Sequence, residues 1–143
     1  MEKKYHEIEV ETFVQATEDE EKVIEAVSNI IGIGIPEDLE IVETEGSHGN
    51  PIGMVSYSFR RKRDIEGILE GFRGKDFMKE ALSQVEERLD ESLTFHMRLD
   101  KQMAYLGELR LWESGEAVKI RMKPATFPAS REEAVRILMQ LME

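Results

Sequence analysis

The chain has 143 residues, 41% of them hydrophobic and 34% charged, with no cysteine and a formal net charge of −11. That balance specifies one folded domain over 1–143 with a sizeable core, and it excludes a disordered or low-complexity chain. The missing thiols exclude disulfides, a cysteine nucleophile and cysteine-bound zinc, and no apolar run reaches the roughly 20 residues of a membrane span.

The opening stretch "MEKKYHEIEVE" has no apolar signal core, so a cytoplasmic protein is expected. Charge is unevenly spread: residues 1–45 carry 14 acidic side chains against three lysines, whereas residues 46–143 carry 16 of each sign. The excess therefore belongs to the N-terminal third, and the remainder has room for a basic surface.

Taken in order, "YHEIEVETFV" (5–14) alternates Ile8, Val10 and Val14 with Glu7, Glu9 and Glu11, the pattern of a half-buried strand. A helix follows, opened by a capping box from Thr17 to Glu20 and carrying the stripe Val23, Ala26, Val27 and Ile30 to Gly32. "LEIVETE" (39–45) and "GMVSYSFRRKR" (53–63) read as hairpin strands around the turn "GSHGNPIG". There Gly46, Gly49 and Gly53 tolerate positive φ, Asn50 favours a turn start and Pro51 blocks helix at the residue before it. "DIEGILEGF" is a helix weakened by Gly67 and Gly71. "KDFMKEALSQVEERLD" is a firmer one, with Phe77, Met78, Ala81, Leu82, Val85 and Leu89 inward.

"LTFHMRL" (93–99) alternates again, and a polar corner, "DKQMAY", leads to a strand "GELRLW". "AVKIRMK" adds Val118, Ile120 and Met122 on one face, and a Ser130–Glu133 capping box opens a closing helix striped with Ala134, Val135, Leu138, Leu141 and Met142. The sum predicts α+β: an antiparallel or mixed sheet of about six strands with helices packed on one face. The closing stripe is long for a terminal element and suggests a symmetric dimer.

Three polar groupings stand out. His96, Arg98, Arg110, Lys119, Arg121 and Lys123 occupy the outer faces of the last strands; a basic face and a ladder paired with Glu7, Glu9 and Glu11 are both open. Arg60, Arg61, Lys62 and Arg63 form the densest basic run, read either as nucleic-acid contact or as protection of a strand edge. Arg98, Asp100, Lys101 and Gln102 leave a strand together, offering phosphate and base-edge donors; in the alternative, Asp100 simply caps and pairs at the corner.

His6, His48 and His96 are widely spaced, without a metal-binding or nucleophile motif. No catalytic residue, metal or cofactor is therefore expected, and a hydrolase with His48 oriented by Asp100 ranks third among the readings.

Three stretches in one order, "FVQATEDEEKVIEAV", "GSHGNPIG" and "FHMRLDKQMAYLGELRL", together resemble an archaeal RNA-binding family described as a predicted exosome subunit with a fold like that of double-stranded-RNA-binding domains. The resemblance runs from residue 8 to about 122. It implies a fold like that of the ribosomal protein holding 5S rRNA, a cytosolic setting and a homodimer.

With the residue pattern, it predicts a non-enzymatic RNA-binding accessory protein in RNA processing or degradation, or acting around ribosomal RNA. Partners would be structured RNA and exosome- or ribosome-associated proteins, with no membrane. His48, Gly49, Asn50, Arg98, Lys101 and Gln102 would form one contact cluster, and Arg60–Arg63 would add nonspecific attraction. A duplex would be read by its shape through phosphates and 2′-hydroxyls. The alternative is an adaptor docking its acidic N-terminal third on a basic partner.

Overall fold

Alternation makes β1 (Tyr5–Val14) the spine of the protein: Ile8, Val10, Thr12 and Val14 are buried on one face, while Glu9, Glu11 and Phe13 line the other. The computed structural model describes residues 4–46 and 49–143. On one side β1 pairs with β3 (Pro51–Phe59), itself in a hairpin with β2 (Ile41–Glu45). On the other it pairs with β5 (Ala117–Pro124), which is flanked by β4 (Phe95–Asp100). The sheet order is β2-β3-β1-β5-β4, antiparallel throughout.

Among the described residues six helices cover the apolar face: α1 (Glu20–Ile31), α2 (Lys62–Phe72), α3 (Asp76–Ser83), α4 (Val85–Arg88), α5 (Lys101–Tyr105) and α6 (Arg131–Met139). Val27 and Ile30, Ile68 and Phe72, Met78 and Leu82, and Leu138 close over Ile8, Phe59, Met97 and Ile120 in one core. Burying these side chains drives the assembly at about 1.5–3 kcal/mol each. The α+β class follows, with one sheet face left to polar side chains.

Several boundaries differ from those the sequence predicts, each for a local reason. The described residues form five strands, because "GELRLW" makes only a single bridge, Leu99 to Leu111, beyond a turn in which Gly107 sits at φ 91°. The N-cap of α1 is Asp19, whose side chain accepts from the Glu21 amide; Thr17 does not cap. The basic run does not prolong a strand: β3 stops at Phe59, Arg61 is the N-cap of α2 and Lys62 begins it. The helix expected over 75–90 divides at Gln84 into α3 and α4.

The corner after β4 winds into the one-turn helix α5, capped by Asp100 through the Met103 amide at 3.1 Å. Ser130 caps α6 as expected, accepting from the Glu133 amide. The closing stripe turns inward, with Ala134, Leu138 and Leu141 buried in the chain's own core. No helix among the described residues is long and apolar enough to cross a membrane.

Candidate functional site

Register settles how the outer sheet face is charged. β5 lies directly beside β1, so Glu7, Glu9 and Glu11 stand opposite Lys123, Arg121 and Lys119. Arg121 contacts Glu9 at 2.6 Å and Glu11 at 3.6 Å, and Lys123 reaches Glu7 at 3.6 Å. Arg60 also approaches Glu7, at 3.6 Å. Burial works against the charged form of Glu7, but a Ser58 hydrogen bond and the charges of Lys123 and Arg60 outweigh it and hold the carboxyl below its ordinary range. Along this seam the ladder reading holds for Arg121 and Lys123, while Lys119 faces Glu11 without coming within ion-pair distance of it.

The next pair outward differs. On β4, Arg98 stands directly opposite Lys119, two like charges in one cross-strand pair. Neither has a carboxylate within ion-pair distance among the described residues. Arg98 is held in place by donation from Nη2 to the Gly115 carbonyl at 2.8 Å. Its neighbour on the same face, His96, bonds Asp90 at 2.7 Å. Partial burial of Asp90 opposes its charge, yet donors from His96, Thr94 and Ser92 hold its carboxyl far below the usual range.

The cluster expected around the turn and the corner is only partly assembled. His48 lies outside the described residues. Gly49 is exposed at φ 74° and Asn50 is exposed, its carbonyl accepting from the Gly46 amide at 2.8 Å. A Cβ on Gly46 would run into the Ile52 side chain, which would have to shift to admit it. The turn and the corner share one end of the sheet, since Gly53 pairs with Val14 and Lys101 reaches the Phe13 carbonyl. Two strands, β1 and β5, nevertheless separate them.

Gln102 is exposed, but Lys101 is 5% exposed. Its ammonium donates to the Phe13 carbonyl at 2.7 Å, to Glu18 at 3.0 Å and to Glu116 at 2.8 Å. An ammonium has three donors, and all three are directed inside the chain. Lys101 is therefore a structural tie, not a surface contact, and the corner keeps only Arg98 and Gln102 for a ligand. Arg60–Arg63 lie at the opposite end of the sheet, beyond the Ile8–Phe59 pair. Within that run Lys62 pairs with Glu66 at 3.2 Å, while Arg61 and Arg63 are exposed.

Two residues absent from the expected cluster sit on the same open face. Trp112 is 41% exposed, and its amide donates to the Arg98 carbonyl at 2.9 Å, which places it alongside Arg98. Phe13 is 36% exposed, paired with Met54 and, through it, aligned with Val42. Neither gives a clear signal in the sequence. The segment of Trp112 looks like an ordinary strand end, and Phe13, the one aromatic among the glutamates of the outer face of β1, carries no pattern. Among the described residues no group of histidine and acidic side chains could hold a metal ion.

A family model described as RNA binding matches residues 7–124. An RNA-binding protein of Pyrococcus abyssi is 40% identical over 144 aligned positions, covering 96% of this chain and 94% of that protein. An uncharacterized protein of Methanocaldococcus jannaschii is 32% identical, covering 90% and 91%. Among solved structures, a DUF54 protein from Methanothermobacter thermautotrophicus superposes with a TM-score of 0.82 at 35% identity, over 98% of this chain and 99% of that one.

Proposed function

Because the chain belongs to the archaeal family described as RNA binding, we propose that it is a non-enzymatic RNA-binding accessory protein in RNA processing or degradation, or acting around ribosomal RNA. The observation that carries the reading is the Arg98–Lys119 pair on the uncovered sheet face. Like charges placed directly opposite one another across two strands cost folding energy, and a chain with 30 acidic side chains had ample means to pair them. A local rule broken in this way marks a candidate functional position. A phosphate bridging the two cations would supply the missing countercharge.

Arg61 and Arg63, at the far end of the sheet, would add sequence-independent attraction. Asn50 and Gln102, at the near end, are exposed where they can meet the flanks of a bound strand.

The adaptor reading draws on the acidic N-terminal third, but Glu7, Glu9, Glu11 and Glu18 are engaged within the chain. A docking surface for a basic partner would have to use the remainder. The RNA reading does not depend on a dimer, since the apolar stripe of the closing helix packs into its own core. Ultraviolet crosslinking in cells separates the two readings: recovered RNA fragments covalently joined to the protein are expected, and protein partners without RNA would replace this reading with the adaptor.

A further inference from the structure

We propose that the open sheet face binds unpaired RNA, with Trp112 and Phe13 stacking bases on either side of phosphates held by Arg98 and Lys119. This inference rests on the RNA-binding reading and narrows it from RNA in general to single strands.

The geometry begins with register. Leu99 bridges Leu111 on the core side, so the alternation of paired strands turns Trp112 outward next to Arg98. The row across the sheet then reads Trp112, Arg98, Lys119 and Glu11. Phe13 lies one outward position further along β1 from Glu11, and its own row continues through Met54 to Val42, which is 54% exposed. With strands about 4.8 Å apart and about 6.7 Å between same-face residues, the two aromatic residues are about 16 Å apart with the two cations between them. That span suits a short extended run of nucleotides, and every base has a face that can stack.

Three features select a single strand over a duplex. The aromatic side chains lie on an open sheet face, where they can meet only bases that have left their own stack. Across this row Arg98 and Lys119 are the cations without a carboxylate in ion-pair distance, Glu11 opposite Lys119 being drawn to Arg121, and Glu7 and Glu9 answer Lys123 and Arg121. That leaves a narrow phosphate track and not a broad basic groove. The platform is also preorganised: Gly115 fixes the Arg98 guanidinium, and buried Lys101 pins the Phe13 carbonyl. Lys101 thereby supports the surface without touching the ligand.

The test uses the full chain and its single tryptophan. Twelve-nucleotide single-stranded RNAs and a duplex of equal length are titrated while Trp112 emission and the anisotropy of a labelled RNA are read together. The inference predicts quenching of Trp112 by single-stranded RNA, weaker binding of the duplex, and a fall of about tenfold in single-strand affinity for Trp112→Ala or Phe13→Ala. Trp112→Phe and Phe13→Tyr should retain most of the affinity, and thermal melts of all four variants establish that each is folded. Single-strand binding that leaves Trp112 emission and the alanine variants unchanged, or a clear preference for duplex, would overturn the platform while leaving RNA binding intact. Failure of the wild type to bind any RNA at low salt would instead remove the reading on which it rests.

Discussion

At the scale of residues, Lys101 shows how a surface motif becomes an interior tie. In the sequence it follows Arg98 and Asp100 in a run of polar side chains; in the fold its ammonium joins the end of β1, the approach to α1 and the start of β5. Lys101→Ala strands a main-chain carbonyl and the Glu18 carboxylate, and should destabilise the protein by about 3 kcal/mol in urea denaturation. Gln102→Ala, one residue on and exposed, should stay within about 0.5 kcal/mol.

The distinction is not legible in the sequence because both acceptor side chains, Glu18 and Glu116, come from distant parts of the chain. Asp100 is legible as a cap, since that bond spans only three residues.

Asp90 gives a second residue-scale prediction. Its carboxylate accepts from the Ser92 and Thr94 amides and from His96, fixing the turn in which Leu93 adopts φ 64°. Asp90→Ala should therefore cost about 1–2 kcal/mol at neutral pH. Because the folded carboxyl is held well below its ordinary value, this contribution is complete above the unfolded pKa of about 3.9 and fades as pH falls below it. Denaturation curves of wild type and variant should thus converge in stability below about pH 4; an unchanged gap there would rule out this role for the carboxylate.

Among the elements, strands are most legible where alternation is strict. β1, β4 and β5 bury the residues expected of them, from Ile8 and Val10 through Met97 and Leu99 to Ile120 and Met122. Strand pairing is the part that sequence does not disclose. The choice between a basic face and a charge ladder depends on whether β1 adjoins β5, a contact between residues more than a hundred positions apart.

Helix α2 carries two glycines that predict weakness, yet it forms in full, and a Cβ at Gly67 would meet Ile33 at 2.7 Å. Its start is poorly built for stability: Arg61 is the N-cap without a side-chain cap bond, and basic residues crowd the positive end of the helix dipole. Arg61→Ser should stabilise the fold by about 1 kcal/mol in thermal unfolding. If the arginine serves RNA, the same variant should weaken binding to all RNAs alike at low salt. A gain in stability with no change in binding would assign Arg61 no part in the interface.

For the whole molecule, the net charge of −11 conceals a division of labour. Acids of β1 are consumed against β5 and Arg60, leaving a half-buried pair of cations between aromatic residues on one face. Composition alone points away from nucleic acid; the topology sets Arg98 beside Lys119 with no carboxylate of the described residues within ion-pair distance of either, since Glu11, opposite Lys119, contacts Arg121 instead.

The most direct measurement is the affinity of a single-stranded RNA over a range of salt concentrations, for wild type and for Arg98→Ala/Lys119→Ala. If both cations hold phosphates, the double variant should bind more weakly, and its slope of log affinity against log salt should be shallower by about 1.4, at roughly 0.7 for each phosphate no longer neutralised. A double variant with wild-type affinity and an unchanged slope would contradict the assignment of Arg98 and Lys119 to RNA phosphates.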